Sequence, residues 1–188
     1  MKLIIASNNA HKIYEIKKML GSRFSEILSL REAGINHETV EDGKTFLENA
    51  FKKAREIAEI SGCVALADDS GICVHALDGA PGIYSARFSG GTDEDNNNLL
   101  LEKLCGKADR GAHYTCAMSL VYPDGSEVSA EGYLYGEITE KPRGSAGFGY
   151  DPLFVPVGEK RTVAEMTDEE KNQISHRANA LKALLKKL

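Results

Sequence analysis

The sequence predicts an α/β fold, and three observations carry that reading. Short apolar runs ended by turn residues alternate with segments whose apolar residues recur at helical spacing. Several helical segments open on a cap signal, as at Thr45-Phe46-Leu47-Glu48 and Thr167-Asp168-Glu169-Glu170. A long alternating stretch, a Pro123-Asp124-Gly125 turn and a second extended stretch add a hairpin, which makes part of the sheet antiparallel. The 188 residues show no repeat, low-complexity tract or linker, so residues 1–188 read as one domain, an arrangement that admits two lobes around a cleft.

Element by element, Lys2 to Ala6 reads as a first strand, and Ile13, Ile16, Met19 and Leu20 mark one face of a helix closed by Gly21. A short strand is expected over Glu26 to Leu30. A helix follows from Thr45 to about Ile60, with Gly62 behind it. Val64 to Ala67 reads as a buried strand that Ser70-Gly71 turns, before a second apolar piece from Ile72 to Leu77. The segment Gly79 to Gly91, rich in Gly, Pro and Ser, is expected as an ordered loop. Thr92 caps a helix with an acidic first turn (Asp93, Glu94, Asp95) and apolar Leu100, Leu101 and Leu104. His113 to Tyr122 and Glu127 to Ile138 are the hairpin strands. Ser175 caps the last helix, which buries Ala178, Leu181, Leu184, Leu185 and Leu188.

Composition excludes several classes. A net charge of -5 argues against sequence-independent binding of nucleic-acid polymers, which needs a basic footprint. It leaves open a nucleotide in a small local site. No apolar run approaches a membrane span, and Met1-Lys2 leads straight into a strand-like run, so neither membrane partner nor signal peptide is expected. Cys63, Cys73, Cys105 and Cys116 form no Cys-x-x-Cys pair and read as reduced structural thiols of a cytoplasmic protein.

The most informative stretch is Ala67-Asp68-Asp69-Ser70-Gly71. Adjacent carboxylates at the end of an apolar run are costly to hold together unless a cation or shared proton relieves them. They read either as metal ligands and a base or as a turn with two solvated aspartates. Ser7-Asn8-Asn9-Ala10-His11-Lys12 joins the first strand to the first helix, where backbone N–H groups and the helix dipole favour an anion. Its other reading is an Asn-rich cap with a surface lysine. Gly43-Lys44-Thr45 is not a P-loop, because Glu38 stands where the leading glycine belongs and no strand precedes it. Glu41 and Asp42 precede the second helix, on which Lys53 shares a stripe with Phe46, Ala50 and Ile57. Near a polyphosphate Lys53 is a counter-ion; otherwise it snorkels.

Gly144 to Asp151 is a glycine-rich backbone holding Phe148, Tyr150 and Asp151, without the spacing of a dinucleotide fingerprint. It either lets a purine lie against Phe148 or forms a turn around a buried Phe. Ser175-His176-Arg177 puts cations at a helix N-terminus, against the macrodipole, and reads either as a set of donors to an acceptor-rich ligand or as a solvated first turn. Lys171 adds a donor nearby. His37, His75 and His113 read as structural, with no zinc spacing.

Taken in order, these segments resemble the inosine triphosphate pyrophosphatase family over essentially the whole chain. The resemblance rests on Ser7 to Lys12, Gly43-Lys44-Thr45-Phe46-Leu47-Glu48-Asn49-Ala50, Ala67 to Gly71, Gly79-Ala80-Pro81-Gly82-Ile83-Tyr84-Ser85-Ala86-Arg87, Phe148-Gly149-Tyr150-Asp151-Pro152 and Ser175-His176-Arg177. It implies an elongated two-lobed α/β fold with a long, mixed, twisted sheet flanked by helices and a nucleotide cleft between the lobes. It also implies a homodimer, Mg²⁺ dependence, and hydrolysis of non-standard purine triphosphates to monophosphate and pyrophosphate. Carried over, Asn9, Lys12 and Lys53 would meet the triphosphate, with Ser7 and Asn8 shaping the loop. Asp69 would be the catalytic carboxylate, with Asp68 and Glu41 beside the metal and Ser70 touching substrate. Val40-Glu41 departs from the family's frequent Glu-Glu, so the second acidic residue is Glu41 or Asp42. Phe148, Gly149, Tyr150, Asp151, Lys171, His176 and Arg177 would form the base pocket.

The chemistry agrees with the resemblance. Mg²⁺ on carboxylates plus two lysines would neutralise a triphosphate, and an aspartate beside the metal can orient or deprotonate water. Inosine and xanthosine offer a carbonyl acceptor where adenine offers an amino donor, so a pocket of donors discriminates between them. Rival readings are a Maf-type pyrophosphatase of other modified nucleotides, which the motifs fit less well, and a non-catalytic nucleotide sensor. Apolar Pro81, Ile83, Tyr84 and Phe88 read as own-domain packing or a subunit contact, and the resemblance favours the latter.

Overall fold

The structure, a computed structural model, describes residues 1–21 and 23–188. Six strands form one mixed sheet in the order β2-β1-β3-β4-β5-β6. These are β1 (Lys2–Ile5), β2 (Glu26–Ser29), β3 (Val64–Val74), β4 (Gly111–Val121), β5 (Glu127–Ile138) and β6 (Phe154–Pro156). The helices are α1 (Ala10–Leu20), α2 (Phe46–Ser61), α3 (Asp93–Lys103), α4 (Asp168–Ile174) and α5 (His176–Leu185). Strand β1 pairs in parallel with β2 and β3, and β5 pairs antiparallel with β6. The expected α/β class with a mixed sheet and flanking helices is therefore observed. Among the described residues no helix is long and apolar enough to cross a membrane.

The chain clusters into two compact units. One comprises residues 1–69, 116–132 and 178–188; the other comprises residues 70–115 and 133–177.

In the first unit, strand parity assigns the two faces of β3. Val64 and Leu66 pack with Leu3, Ile5, Ile16 and Leu20, the face that α1 covers. Ala65 and Ala67 pack with Ile4, Ala54, Ile57 and Ala58, the face that α2 covers. Alternation is the reason: successive side chains leave a strand on opposite sides. Helix α2 begins where Thr45 accepts from the Glu48 amide, and it ends on Gly62 in the left-handed region at φ 63°. Glu48 completes only half of the expected capping box, because its carboxylate accepts from the Lys44 amide at 2.6 Å.

In the second unit, Ile72, Val74, Leu100, Tyr114, Ile138, Leu153 and Phe154 form the core. Thr92 and Thr167 each make a complete capping box, with Asp95 and Glu170 as reciprocal partners. The expected loop at Gly79 to Gly91 contains a 3₁₀ turn over Gly82–Arg87, held where the Ser85 hydroxyl donates to the Gly82 carbonyl.

Two expectations need correction. Ser70-Gly71 does not turn the chain: β3 runs unbroken from Val64 to Val74. Its local turn chemistry is overridden because the apolar residues Ile72 and Val74 lie on the far side of the polar pair and are fully buried. Leu188, expected among the buried residues of the last helix, lies beyond the end of α5 at Leu185 and is 49% exposed, whereas Ser175, which closes α4, directly precedes α5 at the cap position expected of it.

Candidate active site

The correction to β3 explains the geometry of the acidic pair. Asp68 continues the Leu66 row and Asp69 continues the Ala67 row, so parity sends one carboxylate toward α1 and the other toward α2. Each is met by a lysine. Lys12, in the first turn of α1, lies 3.1 Å from Oδ2 of Asp68, whose side chain is fully buried. Lys53, midway along α2, lies 3.6 Å from Oδ1 of Asp69 and donates to Oε1 of Glu41 at 2.7 Å. Asp42 instead turns outward to Lys52 at 2.7 Å. Of the two acidic candidates ahead of α2, Glu41 is the one that shares a lysine with Asp69.

This cluster perturbs its own ionisation. Burial pushes the Asp69 carboxyl up, and the Glu41 charge adds to that, while Lys53, Asn49 and Lys12 oppose it. For Lys53, burial works to remove the proton, but the charges of Asp69, Asp68 and Glu41 outweigh it and hold the ammonium above its ordinary range. Ionisable groups perturbed by burial and by specific charge partners mark a candidate functional site.

The Ser7–Lys12 segment is organised from within. Asn9 caps α1, its side-chain oxygen accepting from the amides of His11 at 3.0 Å and Lys12 at 3.2 Å. The Ser7 hydroxyl accepts from the Asn9 amide at 3.2 Å. Ser7 is half-buried, whereas Asn8 and Asn9 are exposed. The cap and the presentation of Lys12 are thus one device: without the cap, the first turn carrying Lys12 loses its anchor.

A second cluster lies within the second unit. Asp151 accepts from Lys171 Nζ at 2.9 Å and from the Phe148 amide at 3.0 Å, both at Oδ2. Its Oδ1 meets the Tyr114 hydroxyl at 3.4 Å. The Tyr114 ring stacks on His176, with centroids 4.6 Å apart and planes within 9°. Lys171 Nζ sits 4.5 Å from the centre of the Phe148 ring. Arg177, only 1% exposed, donates to the Ser70 hydroxyl at 3.1 Å and lies 6.0 Å from the Phe148 ring. Burial holds the Tyr114 phenol well above its ordinary pKa, so it stays a neutral donor.

Two predicted members of this cluster are committed elsewhere. The Gly149 amide donates to Asp93 at 2.7 Å, and the Tyr150 hydroxyl donates to the Ser85 carbonyl at 2.8 Å. Gly147 has φ 78°, and a Cβ there would stand 2.1 Å from Oδ2 of Asp151, so the turn needs glycine on both counts.

Two site neighbours carried no assigned role in the sequence reading. Asn49, fully buried on α2, donates to Oδ2 of Asp69 at 3.0 Å. Tyr114 read as an ordinary strand residue. A polar amide on the inward stripe of a helix, one turn before Lys53, is a signal that could have found the first. Nothing in the sequence marked the second.

The set fits a hard cation. Glu41, Asp68 and Asp69 supply carboxylate oxygens, as Mg²⁺ prefers. Among the described residues, however, no three His, Cys, Asp or Glu side chains form a ready metal cage.

The α/β fold thus carries lysine-clasped carboxylates on β3 in its first unit and a cationic-aromatic cluster around Asp151 in its second. Comparisons with known proteins show the family. The Ham1 family model matches residues 3–187. A dITP/XTP pyrophosphatase from Clostridium perfringens is 51% identical over 193 residues, covering 97% of this chain and 95% of its own. The Staphylococcus aureus Ham1 protein superposes with a TM-score of 0.89 at 39% identity, covering 98% of this chain and 96% of its own. A Mycobacterium abscessus structure described as a nucleoside-triphosphatase and dITP/XTP pyrophosphatase gives 0.81 at 45% identity, covering 98% and 99%. The chain belongs to the Ham1 family.

Proposed function

We propose that this protein hydrolyses dITP, ITP and XTP to the nucleoside monophosphate and pyrophosphate, removing non-standard purines from the nucleotide pool. The observation that carries the reading is the clasp of Lys12 on Asp68 at 3.1 Å and of Lys53 on Glu41 at 2.7 Å and Asp69 at 3.6 Å. The names of the similar proteins support the substrate class.

In this reading the first cluster handles the phosphates. Lys12 and Lys53 exchange part of their carboxylate contacts for phosphate oxygens and stabilise negative charge as the phosphoanhydride breaks. Asp69 orients the attacking water and accepts its proton. The water oxygen joins phosphorus on the monophosphate side, and the bond to the bridging oxygen breaks as pyrophosphate leaves. Glu41, Asp68 and Asp69 would hold Mg²⁺, which when bound neutralises polyphosphate charge. Ser7, Asn8 and Asn9 shape the phosphate loop.

The second cluster reads the base. Phe148 offers a face for the purine, with Lys171, His176 and Arg177 as donors toward the carbonyl at purine position 6, and with Ser70, Gly149, Tyr150 and Asp151 framing them. Adenine would set an amino donor against those donors and strand buried polar groups. The protein works as a single 1–188 domain and as a cytoplasmic homodimer. An exposed Tyr84, 56% accessible on the Gly82–Arg87 turn, supports the subunit contact.

A nucleotide panel with a pyrophosphate read-out tests the proposal. dITP, ITP and XTP should each release pyrophosphate with Mg²⁺, ATP far less, and a chelator should abolish release. Inorganic phosphate in place of pyrophosphate, or no turnover of any of the three, would overturn it.

A further inference from the structure

The segment ahead of α2 is strapped along that helix by a ladder of polar contacts. Glu56 meets His37 at 2.7 Å and Thr39 at 2.5 Å. Lys53 meets Glu41 and Lys52 meets Asp42, each at 2.7 Å. Asn49 accepts from the Gly43 amide at 2.8 Å, and Glu48 accepts from the Lys44 amide at 2.6 Å. As the strap advances from 37 to 44 its partners retreat from 56 to 48, so it runs antiparallel to α2 and delivers Glu41 beside Lys53.

Asn49 does more than hold this strap. Its Oδ1 takes the Gly43 N–H while its Nδ2 donates to Oδ2 of Asp69 at 3.0 Å. Only one orientation of the amide satisfies both partners, since an N–H needs an acceptor and a carboxylate needs a donor. The side chain is fully buried, so neither bond is replaceable by bulk water. The partner backbone is shaped for it as well: a Cβ on Gly43 would stand 2.6 Å from Asn49 Oδ1 and 2.9 Å from Glu48 Cβ.

We propose that Asn49 is a positioning residue. It ties the Glu41-bearing strap to Asp69 and restrains the rotation of that carboxylate, and so sets the direction from which Asp69 would meet Mg²⁺ or water. The inference rests on the pyrophosphatase reading for its kinetic consequence, but not for its structural one. The terminal torsion of an aspartate is broad and roughly two-fold, and Lys53 at 3.6 Å on the other oxygen constrains it loosely. A hydrogen-bonded amide supplies direction without charge. Lys53 cannot do this, because its ammonium is shared with Glu41.

The test is Asn49→Ala beside Gly43→Ala, the latter crowding the Asn49 amide out of position without deleting it. Three measurements are needed: steady-state turnover of dITP, Mn²⁺ affinity by electron paramagnetic resonance, and thermal unfolding. Both variants should lose about 10–100-fold in kcat, with KM for dITP little changed, and Asn49→Ala should bind Mn²⁺ about 10-fold or more weakly. A folded Asn49→Ala with kcat within about twofold of the parent and unchanged Mn²⁺ affinity would overturn the proposal. So would a loss that merely follows the unfolded fraction at the assay temperature. Should Asn49→Ala not fold, Gly43→Ala and Asn49→Ser decide on the same criteria. If the parent itself releases no pyrophosphate from dITP, the pyrophosphatase reading falls while the Mn²⁺ titration still judges Asn49.

Discussion

The two polar clusters differ in how they are assembled. In the first unit three carboxylates and two lysines meet from β3, α1, α2 and the segment ahead of α2, and almost every contact is between full charges. In the cluster of the second unit the Lys171–Asp151 pair is set among Phe148, Tyr114 and His176, so flat rings lie beside the charges. The first arrangement suits a ligand recognised by charge, whatever its shape. The second suits a planar group recognised by its face and by the polarity of its edge. Charge clusters tolerate little deletion, because losing one member leaves the others buried and uncompensated. Ring platforms degrade gradually.

That contrast orders the expected losses. Asp69→Asn should have the largest effect, lowering kcat by about 10³-fold while leaving nucleotide binding largely intact. The isosteric amide keeps the volume but cannot accept the water's proton. Turnover retained at the parent level would refute the catalytic assignment and, with it, the idea that the charge cluster carries the chemistry. Arg177→Met is expected next. It removes the donor to Ser70 and the cation near Phe148, and the kcat/KM preference for ITP over ATP should narrow by about 10–100-fold. Turnover of ITP should suffer less than it does in Asp69→Asn. An unchanged preference in a folded variant would mean that the aromatic cluster reads the base without Arg177.

The charged cluster of the first unit was legible because it depends on residue types that the sequence displays. Two aspartates after an apolar run, a lysine about one turn into α1 and another on the apolar stripe of α2 announce themselves by cost and spacing. Helix ends were legible for a similar reason: Gly21 and Gly62 occupy positive-φ positions behind α1 and α2, and Thr92 and Thr167 cap as expected. What was illegible depended on packing across the chain. Asp68-Asp69-Ser70-Gly71 carries local turn chemistry, yet β3 runs straight through it. Its direction is set by burial of Ile72 and Val74 beyond, not by the four residues themselves. β6 is three residues long, too short for any period to show. Tyr114 lay hidden because alternation marks a residue as inward without saying whether a hydroxyl or a ring will be used there.

The smallest expected effect comes from that hydroxyl. Tyr114→Phe keeps the ring that stacks on His176 and the edge contact to Phe154, with centroids 4.8 Å apart. It deletes only a 3.4 Å hydrogen bond to Asp151, whose other oxygen retains Lys171 and the Phe148 amide. A bond this long, to a carboxylate already doubly held, is worth about 0.5–1 kcal/mol, or a few-fold in KM for ITP with kcat little changed. Tyr114→Leu also removes the stack, and should cost distinctly more in both KM and thermal stability. If Tyr114→Phe instead matched Tyr114→Leu, the hydroxyl rather than the ring would dominate. The second cluster would then resemble the first, a network whose members cannot be removed singly, and the distinction between charge recognition and ring recognition would fail.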